Sequence, residues 1–172
     1  MFTELYQHLT AHIENIKDDK GESVIRWVDL QSGQLKGANL PPVAFPCALI
    51  AFDEVGDFVH HNNHSMSKGA AFVEIELAFK IVERTHSKAV TNVGLSHFST
   101  MEGIVAAIHG TDGEAFDTLW LESIRQDATR QDLRIFTLKF ALNAYITTSS
   151  VETVDLKSLQ KLPDFCVHPT LK

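Results

Sequence analysis

Apolar positions recur along this chain with two periods. Phe2, Leu5, Tyr6, Leu9, Ile13 and Ile16 lie three and four apart, the repeat of a helix with one buried stripe, with Thr3 as a candidate cap. A polar turn closed by glycine, Asp18-Asp19-Lys20-Gly21, should end it. A short strand follows over 23–30 (SVIRWVDL), then a polar, glycine-containing link over 31–39. The segment 41–52, PPVAFPCALIAF, reads as a buried strand entered through prolines. Pro46 lacks an amide hydrogen and so belongs at an edge or a bulge.

The second period is two. From 71 to 82, Ala71, Val73, Ile75, Leu77, Phe79 and Ile81 share one face, and Glu74, Glu76 and Lys80 take the other. That alternation predicts a half-buried strand over 72–82. The stretch 133–147 repeats it, with Phe136, Leu138, Phe140, Leu142, Ala144 and Ile146 on one face. Between them, Ser99-Thr100-Met101-Glu102 has the form of a capping box with Ser99 as N-cap. Ile104, Val105, Ala107 and Ile108 follow, and Gly110 can close that helix. A strand over 118–126 and a polar turn over 127–132 complete the pattern. The order α-β-β-β-α-β-β predicts an α+β fold, an antiparallel-rich sheet packed against two α-helices, plus a C-terminal tail. One domain over 1–148 and an extension over 149–172 are expected.

The 172 residues suffice for one sizeable core, and the 44% hydrophobic and 22% charged content is that of an ordinary globular domain. A net charge of −7, spread over both halves, disfavours general phosphate binding. The opening MFTELYQHLTAHIENIKDD lacks the basic flank and apolar run of a signal peptide. The longest apolar run, 43–52, contains Pro46 and is too short to span a bilayer. No membrane partner is expected. Cys47 and Cys166, far apart in sequence, read as free thiols of a cytosolic protein.

No catalytic signature is complete. Gly94-Leu95-Ser96-His97-Phe98 starts like a nucleophile elbow but has Phe98 where the tight turn needs glycine. Ser96 and His97 then fall just ahead of the second helix. Gly110-Thr111-Asp112-Gly113 lacks the lysine and hydroxyl of a phosphate loop. Glu74 and Glu76 share a strand face, where acid–base work or a solvated sheet surface are the choices. His8 and His12 are four apart on the first helix, without the carboxylate of a zinc motif.

The stretch 57–67, DFVHHNNHSMS, holds three of the nine histidines. His60, His61 and His64 would be the ligands of a catalytic zinc, the alternative reading of this segment. In extended backbone His60 and His61 face opposite ways, and no second carboxylate stands by to support them beyond Asp57. No metal and no cofactor are therefore expected. Residues 53–68 read instead as a mobile polar connection between the strand ending at Phe52 and the one starting near Ala70, ordered by a neighbour on assembly. The assembly residues are Asp57, Phe58, His60, His61, Asn62, Asn63, His64 and Met66.

A short N-terminal helix precedes a Trp-x-Asp strand (Trp27, Asp29) and a link containing Gln34-Leu35. The proline-rich strand PPVAFPCALIAF, a loop and a long alternating strand come next. A small-residue helix then ends in Ile108-His109-Gly110, before a strand with Arg125 and a last strand that follows Asp132. This order and texture, over residues 1–148, resembles the tail terminator, or tail completion, proteins of bacteriophages and prophages. The tail from Ser149 to Lys172 departs from the compact ending of that pattern. The resemblance implies a non-catalytic structural protein. It would form a ring, usually of six subunits, on the last ring of the tail tube, halt tube growth and offer the head–tail connector a surface. Its partners would be its own copies, the tail tube protein and the connector, with DNA passing through the lumen unbound. Its location would be the host cytoplasm during assembly and then the virion tail. A small metal-dependent hydrolase using His60, His61 and His64, and a monomeric ligand-binding α+β domain, are the alternatives.

Overall fold

The computed structural model describes residues 1–36, 43–61, 66–81 and 92–147. The elements are α1 (Phe2–Glu14), β1 (Trp27–Leu30), β2 (Cys47–His61), β3 (Met66–Lys80), α2 (Asn92–Ile108), β4 (Trp120–Asp127) and β5 (Leu133–Thr147). The fold is α+β with the expected order. The sheet has five strands in the order β1-β2-β3-β5-β4. Only the β1–β2 pair is parallel; β2–β3, β3–β5 and β4–β5 are antiparallel.

The period-two pattern becomes the core. Val73 pairs with Phe140, Ile75 with Leu138 and Leu77 with Phe136 across the β3–β5 ladder, and all six side chains are buried. Leu5, Leu9 and Ile13 of α1 and Met101, Ile104 and Ile108 of α2 pack onto this same face, so both helices lie on one side of the sheet. The spacing of four along α1 stacks its three side chains on one stripe. On the opposite face a smaller cluster forms at one end, where Leu35, Val43 and Phe45 cover Cys47, Leu49, Ala78, Leu133 and Ile135. The remaining charged positions stay on that open face, as the ion pair between Lys139 and Asp53 at 3.2 Å illustrates.

Several local expectations change. Residues 53–61 and 66–68 are strand, not a connection: β2 runs on to His61 and β3 starts at Met66. Irregularities between Phe52 and Glu54 and between Gly56 and Val59 disturb the alternation there and hide the strand from a periodicity reading. Ser99 is no N-cap, and Ser96 and His97 do not precede α2, because the helix already starts at Asn92. His97 stacks on Phe79 at 4.5 Å and Phe98 meets Phe136 at 5.6 Å, so packing carries the helix upstream of its capping signature. Gly110, at φ 85°, does end it. Pro46 sits neither at a sheet edge nor in a bulge. It immediately precedes β2, an inner strand, where no ladder donor is required, and its carbonyl accepts the Arg26 N–H at 2.8 Å. Val82 and the extension 149–172 lie outside the described residues.

Ile146 departs from the core pattern. It shares the face of Leu142 and Ala144 but is 43% exposed. Leu77→Ala and Phe140→Ala should each cost about 2–5 kcal/mol in denaturant unfolding. Ile146→Ala should cost less than about 0.5 kcal/mol. Losses below about 0.5 kcal/mol for both core variants would reverse this assignment of faces.

Candidate functional site

The helix-covered core ends at Val55, Ala71, Leu142 and Ala144, but the strands continue. β2, β3 and β5 run on together to the pairs His61↔Met66 and Met66↔Thr147. From Lys68 to Met66 this adds about 10 Å of three-stranded tongue beyond the core. Its packing is internal. A side chain at Gly69 would meet the Gly56 carbonyl oxygen at 2.7 Å and the Phe58 ring at 2.9 Å, so glycine there lets Phe58 lie flat across β3. Val59 is 60% exposed, and Met66 and Ile146 are also exposed. The tongue thus presents apolar side chains at its far end.

A polar cluster braces the tongue against the segment ahead of β4. Lys68 Nζ donates to Asp117 Oδ2 at 2.9 Å and to the Tyr145 hydroxyl at 3.3 Å, and Asn143 Nδ2 reaches the same Asp117 oxygen at 3.4 Å. Two backbone bonds of 2.8 Å, from Asp117 N–H to Asn143 and from Tyr145 N–H to Ala115, fix that segment along β5. The Lys68 hydrogen bond, followed by that of Tyr145, holds the Asp117 carboxyl below the usual range. These groups are solvated, so the backbone bonds do more of the bracing than the ion pair.

The described part of the histidine-rich stretch therefore lies at the paired far ends of β2 and β3. His60 and His61 occupy successive ladder positions opposite Ser67 and Met66. Asp57 and Phe58 fall in the irregular step between Gly56 and Val59. Asn62, Asn63 and His64 lie outside the described residues. Among the described residues no group of three or more His, Cys, Asp or Glu side chains is gathered for a metal.

The other candidates disperse. Glu74 and Glu76 do share the open face, but Glu76 accepts a hydrogen bond from Gln31 Nε2 at 2.7 Å, while Glu74 pairs in register with Lys139. Burial pushes the Cys47 thiol up to about 11, which keeps it protonated and inert. Cys166 is outside the described residues. His97 is stacked on Phe79, and burial, then Arg134, lowers its pKa. His8 and His12 do approach, at 4.5 Å between ring centres, but as a packing device. The Thr111 hydroxyl donates to the Ile108 carbonyl at 2.7 Å, so His8 Nε2–H is the donor in its 2.9 Å bond to Thr111 Oγ1. With Ala115 N–H donating to Glu4 Oε1 at 3.0 Å, this ties α1 to the segment 111–116.

The exposed apolar positions are what residue chemistry alone misses. Ile146 reads as core by period, and Ile124 reads as an ordinary strand residue. Only the lengths of strands and helices, compared, would have signalled that some apolar positions stay uncovered.

No family model matches this chain, and no curated protein matches it. Among solved structures it is similar to a chain in the virion of a native gene transfer agent (GTA) particle. Identity is 12%, the match covers 84% of this chain and 93% of that one, and the TM-score is 0.45. A likeness at that level decides neither fold nor function.

Two outcomes are expected. Burial first, then His12, holds His8 below its ordinary 6.5, against the opposing pull of Asp112 and Glu4. The folded state then binds this proton less tightly than the unfolded chain, so the stability from neutral His8 is complete above about pH 6.5 and is lost as pH falls below it. His97 shifts the same way, so the comparison must isolate His8. His8→Gln keeps the donor to Thr111, and its melting temperature should fall less than wild type between about pH 7.5 and 5.5. Equal falls would exclude this role of His8. Separately, tag-free protein is expected to carry no stoichiometric zinc, nickel or iron. Metal that disappears when His60, His61 and His64 are all replaced by alanine would establish a metal site in that stretch.

Proposed function

We propose that this chain is a structural subunit of a phage-like particle, a tail terminator that closes into a ring on the end of the tail tube and presents a joining surface to the connector. In this reading no residue is catalytic. The observation that supports it most is the braced tongue of β2, β3 and β5, which runs past the core and leaves Val59, Met66 and Ile146 exposed. By register Val59 and Met66 lie on one face of the tongue and Ile146 on the other, and exposed apolar side chains on both faces of a protruding, internally packed element mark contact surfaces. A tongue that docks on a different surface of the next copy makes a head-to-tail contact, and such contacts close into rings when the rotation per copy allows. The net charge of −7 suits a lumen that DNA traverses without sticking, since like charges repel phosphate.

The test is the assembly state. Sedimentation and electron microscopy of the full chain, alone and with tail tube protein, should show rings. Val59→Glu and Ile146→Glu should weaken assembly by about tenfold or more, roughly 1.4 kcal/mol, with melting temperatures close to wild type because both side chains are exposed already. A wild-type chain that stays monomeric at all concentrations, with and without tube protein, would dispose of the reading.

A further inference from the structure

The outer side of α2 carries an apolar stripe that the described residues leave uncovered. Leu95 is 50% exposed and Phe98 is exposed beside it. Further along the helix Met101, Val105, Ala106 and His109 line a groove of about 250 Å³ whose far wall is Ile124 of the edge strand β4. Ile124 is 46% exposed. Trp120 stands at one end of the groove, edge-on to His109 with ring centres 5.2 Å apart. His109 Nδ1 accepts the Leu121 N–H at 3.1 Å, which fixes the imidazole across that end. Glu102 is the one acid in the lining. The groove is therefore apolar, carries one negative charge, and is bounded at one end by an aromatic pair.

The chain contains a segment of matching chemistry beyond the described residues. Within 148–172, the stretch 156–162 reads LKSLQKL. Leu156, Leu159 and Leu162 recur at spacing three, and Lys157 and Lys161 are its only charges. The leucines suit the apolar floor and the lysines suit Glu102. The reach also agrees. Trp120 pairs with Ala141, and β5 runs on from there to Thr147, about 20 Å further. From Thr147 to Leu156 an extended chain covers about 30 Å, enough to double back to the Trp120 end of the groove. Residues 156–162 would then run along α2 towards Met101.

We propose that residues 156–162 dock in the α2–β4 groove of the same molecule, with the leucines against Met101, Val105 and Ile124 and a lysine beside Glu102. The docked segment covers the open side of β4, an edge otherwise available for strand addition. This holds independently of ring assembly.

Two measurements on full-length protein test it. Trypsin cuts after Lys157 and Lys161 only when the segment is released, and the rate follows the population of the released form. Cleavage at both should be about tenfold or more faster in Ile124→Asp than in wild type. It should also be faster in Glu102→Lys, and unchanged in Leu159→Met, with folding verified by circular dichroism. In a Cys166→Ser background, Ala106→Cys with Leu159→Cys should form a disulfide within one chain under mild oxidation. Equal cleavage in wild type and Ile124→Asp, no disulfide, or a disulfide only between chains, each overturns the proposal.

Discussion

The pairing of β3 with β5 is the constraint on which the rest of the structure depends. Its register is unbroken from Met66↔Thr147 to Lys80↔Leu133. Strand side chains alternate with period two, so a slip of one residue on either strand would carry its apolar set to the open face and its charges under the helices. Glu74 and Lys139, now partners on the open face, would lose that pairing as well. Both helices rest on the face this register creates, through Leu9, Ile13, Ile104 and Ile108, all fully buried. The strands β2 and β4 extend the same ladder on either side, and β1 adds to β2 in parallel. Among the described residues no other pairing orders as many elements at once.

That ladder is longer than what packs on it. A strand of 15 residues spans about 50 Å. The helices, of 13 and 17 residues, span about 20 and 25 Å. Side by side on one face, they cannot cover the full length of the strands. At the Lys80 end, Leu35, Val43 and Phe45 wrap the reverse face. At the Met66 end the ladder runs out past the last buried pair, and apolar residues such as Ile146 stay in solvent although their period matches the core. The exposed tongue is thus a consequence of unequal element lengths.

This mismatch also explains which parts of the fold were legible in the sequence. The alternation in β3 and β5 is clean because one face is buried and the other charged, and it identified the strands, their faces and most of the core. Period two reveals which face a residue takes but not whether anything covers it, so Ile146 read as core. The distal half of β2 was hidden because Asp53 and the pair Asp57-Phe58 sit where the register shifts, and its composition resembles a loop. The start of α2 was hidden for a different reason. The capping box at Ser99 is a local signal, and the contacts of His97 with Phe79 and of Phe98 with Phe136 are long-range ones that outweigh it. The histidine-rich stretch was found by composition, but the place of His60 and His61 within β2 followed from backbone pairing that composition does not encode.

A protruding three-stranded tongue carries a hazard, because an open strand edge templates uncontrolled pairing with other chains. On one side the edge of β5 is covered: Phe116 bridges Ala144, and Asp117 and Ala115 bond to Asn143 and Tyr145. On the other side β1 pairs with β2 only from Cys47 to Ile50, so among the described residues β2 beyond Ile50 is an open edge. Both register shifts of β2 fall on that open stretch, as do Asp53, Glu54 and Asp57. Bulges bend and twist an edge away from a flat template. The apolar residues Val59 and Ile146 are then free to act through the faces of the tongue, where shape limits the partner, while the hydrogen-bonding edge is blunted. The irregularities that obscure β2 in the sequence are thus the same features that keep its open edge from being a flat template.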